Sequence, residues 1–131
     1  MKTLNRAFLA AALACFAYPA FAADLSVTKA TCVVAMKLLM DKPYRVTGVS
    51  HVDGRQVLQM QSPNPAYMTL CYLDGNRVMW RTEKSPSHTS PGRWRNDPLD
   101  EVLTWSLTDK NLRVVMTFSD KSSTEKITKI R

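Results

Sequence analysis

Length, composition and charge limit the classes of protein to which this chain could belong. It has 131 residues, 45% of them hydrophobic, with 18 basic against 11 acidic side chains and a net charge of +7. This length suits one domain with a modest core. No run of about 20 apolar residues is present, which excludes a transmembrane helix.

Residues 1–22 have the pattern of a cleavable secretory signal. Lys2 and Arg6 precede an apolar run over residues 7–18, which is followed by Pro19 and the small-x-small exit Ala20-Phe21-Ala22. A positive start, a short apolar centre and small residues before the cut define such a signal. We therefore expect a single mature domain over residues 23–131, located in the periplasm or secreted.

A lipoprotein signal is a minor alternative, with Cys15 as the lipidated residue. The preceding Ala12-Leu13-Ala14 fits that pattern loosely, because the large aliphatic residue stands at the wrong offset. The sequence after Cys15 also stays apolar instead of turning polar. Ordinary cleavage is the better interpretation.

The charge of the mature chain indicates the chemistry of a partner. Loss of Lys2 and Arg6 leaves 16 basic against 11 acidic residues, a net charge of +5. This excess favours anionic partners such as lipid headgroups, polyanionic glycans or acidic proteins. A nucleic-acid partner is disfavoured outside the cytoplasm.

The apolar pattern predicts a single helix over residues 28–41, capped by Ser26 or Thr28 and ended by Pro43. Several side chains follow helical spacing and predict one buried stripe: Cys32, Ala35, Met36, Leu39 and Met40. Further apolar residues widen this stripe around the helix. Such a helix must be covered on more than one side, which a curved sheet can do.

Cys32 and Cys71 are the two cysteines left in the mature chain, and we expect a disulfide between them. A catalytic or metal-binding thiol is the weaker interpretation, because neither residue stands in a CxxC pair or beside a histidine.

After Pro43 the apolar period changes to two, which predicts strands. The expected strands cover residues 44–52, 55–61, 66–73, 78–82, 100–107, 112–118 and 124–130, and turn residues such as Asp53-Gly54 join them as hairpins. The predicted fold class is α+β: a single N-terminal helix packed against a curved antiparallel β-meander of six to seven strands, joined by one disulfide.

The predicted disulfide orients the strand that contains Cys71. Alternate residues share a face, so three residues should lie with Cys71 towards the helix: Tyr67, Thr69 and Leu73. The opposite face then carries Met68, Leu70 and Tyr72. Either other residues cover this apolar face, or it forms a homodimer or ligand surface.

The stretch from Glu83 to Pro98 has no helix or strand pattern and supplies the candidate binding site. It contains Arg93, Trp94 and Arg95, and Arg81 lies just before it. Arginine and tryptophan are favoured at binding hot spots, and guanidinium groups suit carboxylates and phosphates. The alternative is structural: Trp94 folds back onto the sheet while the arginines pair with Asp97, Asp100 or Glu101.

Catalytic and metal-binding patterns are weak. His51 could contact Asp53 in a hairpin turn, and His88 lies in a Ser/Pro-rich stretch that offers no rigid support. Met36 and Met40 are one helical turn apart and could hold Cu(I), but core packing explains them better. We expect no enzyme, no cofactor and no metal.

The sequence therefore predicts an exported, non-enzymatic binding or accessory protein that engages an anionic partner through its arginines and Trp94. The alternative is a proteinaceous inhibitor of a secreted or envelope enzyme, in which a loop enters the cleft of its target.

Overall fold

The computed structural model describes residues 24–87 and 91–130, and it confirms the predicted fold class. One helix packs against a seven-stranded antiparallel sheet. The elements in chain order are α1 (Leu25–Met40), β1 (Arg45–Val52), β2 (Arg55–Gln61), β3 (Met68–Asp74), β4 (Arg77–Lys84), β5 (Val102–Thr108), β6 (Asn111–Thr117) and β7 (Ser123–Lys129). The predicted signal over residues 1–22, Cys15 and His88 lie outside the described residues, so what was said of them stays a prediction.

Helix α1 begins three residues earlier than predicted, and the predicted cap was wrong. Asp24 is the N-cap, and its Oδ1 accepts a hydrogen bond from the backbone N–H of Val27 at 2.9 Å. A carboxylate there satisfies an N–H group that has no partner within the helix. Ser26 and Thr28 instead lie inside the first turn, and both donate hydrogen bonds to Asp24.

The seven strands follow one another in the sheet in sequence order, from β1 to β7. Two-residue turns connect β1 to β2 and β3 to β4, and Asp53, Gly54 and Gly75 adopt the positive φ angles that tight hairpins require. The helix contacts β1 to β4, β6 and β7, so the sheet curves around it.

The core lies between the helix and the concave face of the sheet, which we call the inner face. Cys32 and Cys71 are both fully buried there and form the predicted disulfide, which joins α1 to β3. Met36, Leu58 and Met60 are also fully buried. Thr69 and Leu73 lie on the inner face with Cys71, as the alternation along β3 predicted.

A second, smaller cluster covers the convex face, which we call the outer face. Val57, Tyr72 and Met79 are buried there, and Leu70 and Trp94 pack against them. The apolar side of β3 is therefore largely covered by the chain itself. Met68 does not belong to this cluster and lines a surface cleft together with Tyr67 and Thr69. The proposed dimer surface of Met68, Leu70 and Tyr72 is thus not one continuous exposed patch.

The segment 91–95 lies along β4 where β5 does not reach. Strands β4 and β5 pair only at Arg77 and Thr104. Beyond that point, the N–H of Gly92 donates to the carbonyl of Thr82 at 2.7 Å, and the N–H of Arg95 donates to the carbonyl of Trp80 at 2.9 Å. The stretch predicted as a loop is therefore bonded to the sheet through part of its length. Within the described residues, no helix has the length and hydropathy needed to cross a membrane.

Candidate functional site

Asp100 holds the segment 91–100 in place through two arginines. Arg93 Nη1 donates to Asp100 Oδ2 at 2.7 Å, and Arg93 Nη2 donates to Asp100 Oδ1 at 2.9 Å. The N–H of Asp97 also donates to Asp100 Oδ2, and Arg95 Nη1 lies 3.6 Å from Oδ1. The hydrogen bonds from Arg93 hold the pKa of Asp100 well below its ordinary value. The guanidinium group of Arg93 is thus occupied by Asp100 and holds the loop in place.

Trp94 and Arg81 lie on the outer face and form part of a row in which two aromatic rings are flanked by two guanidinium groups. The rings of Tyr72 and Trp94 meet edge to face, with centroids 4.8 Å apart. The guanidinium carbon of Arg81 lies 4.9 Å from the centre of the Trp94 ring, and that of Arg55 lies 4.6 Å from the centre of the Tyr72 ring. We call these four residues the arginine–aromatic row.

Arg95 points to the inner face, away from Trp94. Its guanidinium carbon lies 4.9 Å from the centre of the Trp80 ring, which belongs to the core against the helix. Adjacent residues of an extended segment point to opposite faces, which explains why Trp94 and Arg95 separate. Of the four predicted site residues, the structure thus brings Arg81 and Trp94 together on the outer face, whereas Arg93 and Arg95 meet at Asp100.

Arg55 belongs to the row although no local sequence signal indicates it. It follows the β1–β2 turn and is exposed, and within residues 24–87 and 91–130 no carboxylate lies at ion-pair distance from it. Arg81 is less free, because its Nη2 lies 3.8 Å from Glu83 Oε1. Strand β2 pairs with β3 through Leu58 and Cys71, which places Val57 and Arg55 on the side of Tyr72. The position of Arg55 beside Tyr72 therefore follows from the β2–β3 register and not from its neighbours in the sequence.

Among the described residues, those considered for catalysis and metal binding are not gathered into a site. His51 is exposed on β1, and Met36 is fully buried in the core. Met40, at the end of the helix, lines two surface clefts instead. Across the described ranges, no group of three or more His, Cys, Asp or Glu side chains could hold a metal ion.

The chain was compared with protein-family models, with curated proteins and with solved structures, and none of the three comparisons gives a match.

Proposed function

We propose that this protein is an exported, non-enzymatic binding protein that docks an acidic partner protein on its outer face. The observation that carries the proposal is the arginine–aromatic row of Arg55, Tyr72, Trp94 and Arg81. It combines the side-chain types that contribute most at protein interfaces. The expected positive charge of the mature chain also favours a negatively charged partner.

The stacked arginines are suited to recognise carboxylates. A guanidinium group over an aromatic ring keeps its N–H donors in the plane of the group, where they can reach a carboxylate from the side. Arg55 is exposed and makes no ion pair with a described residue. It can therefore donate hydrogen bonds to the carboxylate of a partner without first breaking an ion pair within the protein.

The row is held in its binding conformation before a partner arrives. Backbone hydrogen bonds from Gly92 and Arg95 to β4 fix the segment on either side of Trp94. The contacts of Arg93 with Asp100 fix its far end. A rigid site loses less conformational entropy on binding than a mobile one, which increases its affinity.

The proposal is tested by charge reversal at the exposed end of the row. The exported, affinity-tagged protein, its Arg55→Glu variant and a Lys110→Glu control are used to capture crosslinked partners from the envelope, and the partners are identified by mass spectrometry. Lys110 is exposed in the β5–β6 turn, and β5 is three strands away from the strand of Arg55 in the sheet order. Its replacement by glutamate changes the charge by the same amount. Equal urea midpoints for the three proteins show that folding is unaffected.

We expect an acidic partner to be captured by the unmodified protein and by Lys110→Glu, and to be lost with Arg55→Glu. Its capture should also weaken as salt is raised, because the recognised groups are charged. The proposal is wrong if the same partners are captured by all three proteins, or if the partner lost with Arg55→Glu is basic. If the partner is an enzyme, its activity with and without the purified protein distinguishes the inhibitor alternative from an accessory role.

A further inference from the structure

Two open clefts meet at the C-terminal end of the helix, on the opposite side of the sheet from the arginine–aromatic row. The smaller has a volume of about 330 Å³ and the larger about 680 Å³. Met40, Tyr44 and Tyr67 line both clefts, so the two adjoin each other at these side chains, and we call them together the groove. Volumes of roughly 300–1,000 Å³ are typical of sites for small molecules.

The larger cleft presents an apolar surface to a ligand. Met40, Pro43, Tyr44, Pro63 and Tyr67 contribute most of its lining. The Tyr44 side chain is 6% exposed, and burial raises the pKa of its hydroxyl, although side-chain hydrogen bonds with Thr69 and Ser62 partly offset this effect. The Tyr44 hydroxyl is therefore turned inwards, towards polar groups of the protein.

Three polar side chains line the larger cleft: Lys42, which is exposed, and Ser62 and Asn64, which are bonded within the protein. Ser62 Oγ donates to the carbonyl of Asn64 at 2.7 Å and accepts from the N–H of Asn64 at 3.1 Å. Asn64 Oδ1 accepts from the N–H of Ala66 at 3.1 Å. These bonds also hold the turn rigid. A hydrocarbon chain can fill this cleft without leaving these groups unbonded.

The smaller cleft carries positive charge. Its lining includes Lys84 and Arg95 and no carboxylate, although Arg95 Nη1 also lies 3.6 Å from Oδ1 of Asp100, which is not part of the lining. In the part of the chain that the structure describes, Lys84 has no acidic group at ion-pair distance. The negative end of the helix dipole lies beside Met40, so an anion is better placed near Lys84 than at the helix end.

From this arrangement we infer that the groove binds a long-chain carboxylate, with its hydrocarbon chain across Met40 and Tyr67 and its carboxylate at Lys84 and Arg95. A mainly apolar cleft beside one that carries Lys84 and Arg95 matches an anionic amphiphile of this kind. Met40 and Met68 supply flexible side chains that can adjust to the chain. This site uses a different surface from the proposed protein interface and does not depend on it.

Binding of radiolabelled palmitate and of its neutral analogue hexadecanol to the exported, delipidated protein tests the inference. We expect one palmitate to bind per chain, with saturation. Lys84→Gln should weaken palmitate binding about tenfold and leave hexadecanol binding unchanged, because it removes one charge-assisted hydrogen bond. Tyr67→Ala should weaken both ligands, because it removes an apolar wall.

Lys110→Gln is the matched control, since Lys110 does not line the groove and its replacement changes the charge by the same amount as Lys84→Gln. Tyr67 is 41% exposed and Lys84 is also exposed, so both test variants should fold, which their urea midpoints will verify. The inference fails if palmitate does not bind with saturation, if Lys84→Gln binds it unchanged, or if hexadecanol binds as tightly as palmitate. The inference would also fail if a peptide with a C-terminal leucine displaced palmitate at a concentration lower than that of palmitate, because the groove would then prefer a peptide carboxylate to a long-chain one.

Discussion

Removal of the Cys32–Cys71 bond should lower the stability of this protein more than any other single covalent change. The two residues are 39 positions apart, so the bond closes a long loop in the unfolded chain. In the chain-entropy model, opening a loop of this length costs about 4 kcal/mol of unfolding free energy. That is a large share of the 5–15 kcal/mol typical of a domain.

Urea unfolding followed by tryptophan fluorescence measures this loss. With a slope of about 1–3 kcal/mol per molar urea, the midpoint should fall by more than about 1 M. The Cys32→Ala/Cys71→Ala variant also removes two buried sulfur atoms, and the cavity adds to the cost. The unmodified protein in its reduced form is the control, because it lacks only the bond.

The difference in urea midpoint between the oxidised and the reduced protein measures the part of the unfolding free energy that comes from closing the loop. A midpoint equal to that of the oxidised protein would show that the bond does not constrain the unfolded chain. Two free thiols in the protein purified from its native compartment would refute the pairing itself.

Three further predictions follow from the described contacts. Because the pKa of Asp100 is lowered from its ordinary 3.8 in the folded protein, its ion pair stabilises the fold above that pH, and this stabilisation is lost as the pH falls below it. The difference in unfolding free energy between the unmodified protein and Asp100→Asn should therefore shrink between pH 5 and pH 2. A difference that does not depend on pH would contradict this cause. Leu58→Ala should lower the unfolding free energy by about 2–5 kcal/mol, because Leu58 is fully buried. Leu99→Ala, at an 85% exposed position, should lower it by less than about 0.5 kcal/mol. Equal losses for the two variants would contradict the assignment of the core. Gly54→Ala should lower the unfolding free energy by about 1 kcal/mol, because Gly54 has a φ of +80° that an alanine adopts only with strain. Gly92→Ala is the control and should cost less, because its Cβ lies at ordinary contact distance from Thr82. An unchanged urea midpoint for Gly54→Ala would show that the turn relaxes.

The sequence predicted the fold well because its local signals agree with one another. In the predicted apolar stripe of the helix, Cys32, Ala35 and Met36 are fully buried, whereas Leu39 and Met40 near its end are partly buried. The Asp53-Gly54 turn has the positive φ angles that its residue types favour. Periodicity and turn chemistry depend on neighbours in the chain, so both can be read without knowing the tertiary structure.

The candidate site was less predictable because it depends on register between distant segments. Nothing local to Gly92-Arg93-Trp94-Arg95 indicates that this segment bonds to β4, or which side chain then points to which face. Arg55 reaches Tyr72 only because β2 pairs with β3 in one particular register. A shift of one residue would turn each of these side chains to the other face.

One short segment joins the two proposed binding surfaces. Trp94 stands on the outer face in the arginine–aromatic row, and Arg95 stands on the inner face at the smaller cleft. Both are positioned by the same backbone, which Asp100 holds through Arg93 and through the N–H of Asp97. Arg93 therefore supports both surfaces through the position of the segment, although its own guanidinium is occupied by a carboxylate of the protein.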